Sequence, residues 1–121
     1  YIDLDNFKLI NDTYGHEQGD NLLITISEQL LLQLREQDIL ARIGGDEFVV
    51  LLPSLSSLKP CNEGAMRCTE AVKRAAKKYH TSYPVSVSYG ISLYPINGNS
   101  IKTLLQHADT MMYKMKQQHK V

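Results

Sequence analysis

The chain has 121 residues, with 13 Lys+Arg balancing 13 Asp+Glu, and at this length folding buries roughly two thirds of the unfolded surface around one core without disulfides or structural metal. Charge neutrality excludes a general polyanion binder, which carries a basic excess, so no nucleic-acid partner is expected and any phosphate chemistry is local. The longest purely apolar run, Phe48 to Leu52, falls far short of the ~20 residues of a membrane helix, and with no charged-then-apolar leader before Tyr1 the residues are expected to be soluble.

Ile2 to Asp5 alternates apolar and acidic residues, a strand pattern that puts Asp3 and Asp5 on one face. The polar stretch Phe7 to Asp20 reads as turns punctuated by Asn11-Asp12, Gly15 and Gly19. Leu22, Leu23, Ile26, Leu30 and Leu34 recur at helical spacing, and Asp20 with Asn21 offers a cap, which predicts a helix from about Gly19 to Leu34. Ile39 to Ile43 and Phe48 to Leu52 flank Gly44-Gly45-Asp46-Glu47. That arrangement predicts a β-hairpin whose glycines supply positive φ and whose tip carries the two acids. Pro53 to Gly64 reads as the longest loop.

A second helix is expected from Ala65 to about Tyr79, with Cys68, Val72 and Ala75 inside and Lys73, Arg74, Lys77 and Lys78 mostly on a solvated face. Val85 to Leu93 alternates with serines and Gly90, the last strand. Ile101, Leu104, Leu105, Ala108, Met112 and Met115 mark a final helix, its methionines core filler. Cys61 falls in the loop and Cys68 in the helix. In a continuous helix their Cα atoms would lie ~10 Å apart, beyond disulfide reach, whereas a bent loop brings them closer; a single pair in a chain with an adequate core is not a disulfide framework, so reduced thiols in a cytoplasmic setting are expected. The order β-α-β-β-α-β-α predicts an α/β sandwich with helices packed on a sheet.

Acids gather at two strand ends. If the hairpin pairs beside the first strand, Asp3, Asp5, Asp46 and Glu47 bring three or four carboxylates together, a cluster that repels itself unless a divalent cation occupies it. Hard oxygen ligands select Mg²⁺ or Mn²⁺, with substrate phosphates completing the shell. The same acids also read as strand-end solvation and turn formers. In the stretch past the strand, where ligands sit in open α/β sheets, Lys8 can balance phosphate, Asn11 offers donor and acceptor, and Asp20 can accept the N–H edge of a guanine. The competing reading is a turn followed by a helix cap. No Walker loop, dinucleotide glycine fingerprint or nucleophile elbow is present, and His16 lacks the second histidine of a zinc-protease helix.

Asp3-Leu4-Asp5-Asn6-Phe7-Lys8-Leu9-Ile10-Asn11-Asp12, then Gly15-His16 and Gly19-Asp20, then Arg42-Ile43-Gly44-Gly45-Asp46-Glu47-Phe48, and later Ser88-Tyr89-Gly90-Ile91-Ser92 together resemble the GGDEF-domain diguanylate cyclases, in order and spacing along the whole chain. The resemblance implies an adenylyl cyclase-like, ferredoxin-like α+β core, a mixed, mostly antiparallel sheet with a hairpin carrying the Gly-Gly-Asp-Glu-Phe turn. It implies condensation of two GTP into cyclic di-GMP and two pyrophosphates within a homodimer, each domain holding one GTP. By position, Asp3, the Leu4 carbonyl and Asp46 are the implied Mg²⁺ ligands, with Glu47 at or near the metals and Asp46 or Glu47 assisting loss of the 3′-OH proton. Asn11 and Asp20 are the implied guanine readers, His16 and the Gly44-Gly45 turn substrate contacts, and Lys8 a phosphate contact.

Arg35-Glu36-Gln37-Asp38 stands five residues before Gly44, where the family carries its Arg-x-x-Asp product-inhibition site; Arg supplies a bidentate fork and Asp a guanine acceptor. The family's terminal Lys-x-x-Gly-Arg-Asn is replaced by Lys116-Gln117-Gln118-His119-Lys120-Val121. Lys116 matches a phosphate lysine, Lys120 keeps charge but loses the fork, and His119 replaces a turn glycine. The resemblance further implies a domain of roughly 160 to 170 residues that begins upstream of Tyr1. Residues 1–121 are therefore expected to be a single, N-terminally truncated GGDEF domain of a parent protein with an upstream sensory or dimerising region, itself cytoplasmic or tethered to a membrane. The alternative within the family is a catalytically silent domain that senses GTP or cyclic di-GMP or serves for docking.

Overall fold

A computed structural model describes residues 1–79 and 84–119. The elements run β1 (Ile2–Asp5), α1 (Phe7–Tyr14), α2 (His16–Leu32), β2 (Ile39–Arg42), β3 (Glu47–Leu51), α3 (Leu58–Lys77), β4 (Ser86–Tyr89) and α4 (Ile101–His119). The four strands form one sheet in the order β2-β3-β1-β4, and every neighbouring pair is antiparallel. This is the mixed α+β architecture expected. β1 lies inside the sheet, so its alternating side chains meet a helix layer on both faces. Ile2 and Leu4 join Phe48, Val85 and Val87 in a core with Phe7, Ile10, Leu22, Ile26, Leu30, Cys68 and Val72, which seats α1, α2 and α3 on one face. Asp3, Asp5 and Ser88 point to the other face, where Lys116 and His119 of α4 reach them. Ser88 is fully buried there, so this serine position of β4 lies under a helix and not in solvent.

Several expected boundaries move. Phe7 to Asp20 is helical almost throughout: Asn6 takes a left-handed conformation (φ 68°), α1 starts one residue after β1, and Gly15 (φ 91°) separates α1 from α2. Only Phe7 and Ile10 of α1 are buried; two anchors one turn apart hold a segment whose composition reads as turn. Because α2 starts at His16, Asp20 lies in its second turn and is not a cap. The hairpin glycines are not at positive φ; among glycines only Gly15 and Gly98 are, and the connection is the four-residue segment 43–46. α3 starts seven residues earlier than expected. Pro60 is its third residue, where an N–H would lack a helical partner in any case. Both cysteines consequently lie in α3, free and buried.

Candidate active site

The antiparallel register sets Asp3 opposite Glu47 on one side and opposite Ser88 on the other, with Asp5 opposite Ser86. The Leu4 N–H donates to the Asp46 carbonyl at 3.0 Å, which pins the hairpin turn to the middle of β1. The Arg42 Nε donates to the carbonyls of Gly44 (3.0 Å) and Gly45 (3.2 Å), tying the turn from its other flank. A side chain at Gly45 would meet nothing within 4 Å, so the turn faces open space.

The two strand acids have different environments. Asp5 is saturated: Ser88 Oγ donates to Oδ1 at 2.8 Å, Ser86 Oγ to Oδ2 at 2.7 Å, and His119 Nδ1 lies 2.8 Å from Oδ2. Burial alone would raise the Asp5 pKa, but these hydrogen bonds and the histidine outweigh it and hold the carboxyl below its ordinary value. Asp3 accepts from Lys116 Nζ at 2.8 Å through Oδ2, whereas its Oδ1 is buried with no partner. Burial, with the nearby charges of Asp46 and Glu47, raises the Asp3 pKa in spite of the lysine. Burial opposes the charge on Lys116, yet the hydrogen bond to Asp3 and the charges of Asp3, Asp5 and Asp46 raise its pKa. One ammonium thus serves a site that still carries excess negative charge.

The expected convergence of three or four carboxylates is corrected in detail. Among the described residues no three His, Cys, Asp or Glu side chains cluster closely enough to cage a cation; Asp5 is fully engaged, and Glu47 accepts a hydrogen bond from the Tyr1 phenol. That hydrogen bond, after burial, raises the Tyr1 pKa. A set comprising Asp3, the Leu4 carbonyl and Asp46 still fits Mg²⁺, which takes one or two carboxylates and completes its octahedron with water and phosphate. The unpaired buried Asp3 oxygen, with its raised pKa, is the observation that supports the fit.

Lys8 is exposed in the first turn of α1, beside helix-terminal N–H groups that have no intrahelical acceptor. Asn11, one turn on, packs against Gly19 where α1 meets α2, and Asp20, the next residue of α2, is exposed. His16 is the first residue of α2 and exposed. Lys120 lies outside the described residues. Arg35 and Asp38 form a compact pair away from Asp3: Nη2 to Oδ1 at 2.8 Å, the Arg35 N–H to Oδ2 at 2.7 Å, and Nη2 to the Pro53 carbonyl at 2.8 Å. They sit on the rim of a mostly apolar cavity of about 520 Å³.

Tyr1, Ser86, Ser88 and His119 bear on this site without having been singled out for it. The signal for the first three is strand periodicity: Tyr1 shares the face of Asp3 and Asp5, and pairing that face with the serine face of β4 assembles the cluster. The histidine, which replaces a family glycine, does not break the helix end but closes it onto Asp5.

Residues 1–121 match the family described as "Diguanylate cyclase, GGDEF domain". The chain is 41% identical over 121 residues to the bifunctional diguanylate cyclase/cyclic di-GMP phosphodiesterase MucR of Pseudomonas aeruginosa, covering 98% of this chain and 17% of MucR. It is 42% identical over 123 residues to the diguanylate cyclase TpbB of the same species, covering 98% of this chain and 27% of TpbB. It therefore spans less than a third of either relative. The solved GGDEF domain of TpbB superimposes with TM-score 0.78 at 38% identity, over 97% of this chain and 69% of that one. A sensory box/GGDEF family protein of Caulobacter crescentus gives 0.82 at 32%, over 97% and 76%. With the ordered motifs, the antiparallel sheet and the hairpin turn docked on β1, the chain belongs to the GGDEF domain family.

Proposed function

We propose that this chain is the catalytic module of a diguanylate cyclase, condensing two GTP molecules into cyclic di-GMP and two pyrophosphates. The observation that carries the reading is the meeting of Asp3 with the Asp46–Glu47 turn: a buried carboxylate with one oxygen unpaired, beside two further acids. Asp3, the Leu4 carbonyl and Asp46 would hold Mg²⁺, or Mn²⁺ in its place, with Glu47 alongside. When bound, the ion supplies charge neutralisation at the α-phosphate and a lower pKa for the attacking 3′-OH. The chain's own groups do the positioning. N–H groups at the start of α1 and the Lys8 ammonium receive phosphate oxygens, and Lys116 shifts from Asp3 to phosphate as the site fills. Asp20 accepts the N1–H and N2–H of guanine, Asn11 supplies the adjoining contact, and His16 and the Gly44-Gly45 turn border the nucleotide. Asp46 or Glu47 assists departure of the 3′-OH proton, and Glu47 already accepts from the Tyr1 phenol.

Each domain holds one GTP, and two domains facing one another align each 3′-OH with the other's α-phosphate. The relatives' greater length leaves dimerising and signal-receiving parts elsewhere in the protein, and free buried cysteines suit a cytoplasmic setting. Cyclic di-GMP binds as an inhibitor at Arg35 and Asp38, where the Arg35 side chain is 40% exposed and that of Asp38 is buried against it. Unchanged product affinity and inhibition in Arg35→Ala would remove that part of the reading. A second reading, a silent domain that senses GTP or cyclic di-GMP, draws on one observation: the chain is 40% identical to the cyclic di-GMP phosphodiesterase PdeR of Escherichia coli. Supplying GTP and Mg²⁺ to the full-length protein separates the two. Cyclic di-GMP forms if the chain is a cyclase, and Asp46→Ala abolishes it with the fold retained; no product from a demonstrated dimer sinks the cyclase.

A further inference from the structure

Asn11 Oδ1 is buried and has no hydrogen-bond partner. It points at Gly19, and an ideal Cβ built there would stand 1.7 Å from Oδ1 and 2.8 Å from Asn11 Cγ. Gly19 is buried within α2 and is not among the positive-φ residues, so its backbone does not require glycine. Glycine is the least favourable helix residue after proline, and the space it leaves is the space the Asn11 amide occupies. The backbone around the pair is tied: the Gly15 N–H donates to the Asn11 carbonyl at 2.9 Å and the Gly19 N–H to the Gly15 carbonyl at 3.1 Å. α1 and α2 are thereby fixed through one glycine hinge, and a side chain at position 19 would be relieved by movement of the Asn11 amide rather than of either helix.

We infer that Gly19 is a positioning residue for nucleotide recognition: its missing side chain lets the Asn11 amide lie in the α1–α2 crevice beside Asp20, at the height where a base edge is read. The inference rests on the proposed role of Asn11 and Asp20 as guanine readers, and adds that the presentation of Asn11 is set from the opposite helix. The clashing atom is the end of a flexible side chain, which makes the structural cost of Gly19→Ala small and the recognition cost large. A gap-filling role predicts the reverse.

The test is a double-mutant cycle in the full-length protein, with GTP affinity and thermal unfolding measured for wild type, Gly19→Ala, Asn11→Ala and the double variant. Gly19→Ala is expected to keep its circular dichroism spectrum and to bind GTP about tenfold more weakly, the size of one lost base-edge hydrogen bond. In the Asn11→Ala background the same substitution is expected to change GTP affinity no further, and any loss of thermal stability should shrink because the obstructing amide is gone. Wild-type GTP affinity in Gly19→Ala, or an undiminished penalty in the Asn11→Ala background, overturns the inference. If Asn11→Ala itself binds GTP normally, the guanine-reader assignment falls and takes the inference with it; if Asn11→Ala is impaired and Gly19→Ala is not, the inference alone falls. Should Gly19→Ala fail to fold, recovery of folding in the double variant supports the contact, and failure of both overturns it.

Discussion

Ser88 and Asp5 set the energetic scale of the polar face. Ser88 is fully buried and its hydroxyl donates to Asp5 Oδ1 at 2.8 Å, so Ser88→Ala removes a donor from a buried carboxylate without opening a route for water. The expected cost is about 1–3 kcal/mol at pH 7. Its pH dependence follows from direction: the folded Asp5 pKa lies below its ordinary value of 3.8, so the stability it contributes is present above that value and is lost as pH falls through the lower folded pKa. The gap between wild type and Ser88→Ala in urea unfolding should therefore narrow on moving from pH 7 to below roughly pH 4; a gap that stays constant would show that Ser88 acts by packing alone. Asp3 carries the opposite sign. Its raised pKa favours folding below the ordinary value, and that contribution is lost as pH rises through the folded one. The acids themselves were legible from alternation, but the donors were not: Ser88 and His119 reach Asp5 across 83 and 114 positions of sequence, and only the pairing of β1 with β4 brings them in.

Element placement shows a similar division. The strands and the cores of α2, α3 and α4 follow from apolar periodicity, although only Ser86–Tyr89 of the expected strand Val85 to Leu93 is one, while α1 is hidden because Asn11, Asp12, Thr13 and Tyr14 contribute little helical preference and tertiary contacts decide their state. In the sequence Gly90 is one polar-side position in the alternation of Val85 to Leu93 and one residue of the Ser88-Tyr89-Gly90-Ile91-Ser92 motif, and it follows directly on β4. A Cβ at this residue would stand 1.9 Å from the Ala108 carbonyl oxygen and 2.5 Å from the Met112 nitrogen. Both are backbone atoms of α4, so the helix must move as a body if anything larger than hydrogen is present. α4 also delivers Lys116 to Asp3 and His119 to Asp5, and its displacement opens those contacts together. Gly90→Ala should cost about 1–3 kcal/mol or more, seen as a melting temperature several degrees lower. It should also weaken nucleotide binding, because Lys116 leaves the site. A normal melting temperature in Gly90→Ala would mean that α4 does not sit against β4 as closely as these distances require.

At the scale of the whole chain, neutrality and the proposed activity have to be reconciled. With 13 cations and 13 anions in the sequence there is no general attraction for a polyphosphate, so substrate capture is assigned to a helix terminus, Lys8, Lys116 and a metal at Asp3. In the proposed reaction one such site would hold one GTP, whose 3′-OH cannot make a dinucleotide by attacking its own α-phosphate. The product has two-fold symmetry, and the arrangement that generates it is a pair of identical sites related by a two-fold axis. Cyclase activity is therefore expected to depend on dimer concentration. Where most of the protein is monomeric, the rate of cyclic di-GMP formation should rise with the square of protein concentration, and specific activity should level off once dimer predominates. Adding Asp46→Ala protein to a concentration above the dimer dissociation constant should lower the wild-type rate, because wild-type monomers are then drawn into mixed dimers that lack one competent hydroxyl-activating site while still holding GTP. Sedimentation velocity alongside the rate measurement relates the two curves. A rate strictly first order in protein, across a range where sedimentation shows only monomer, would place both substrates on a single domain and overturn the symmetric mechanism.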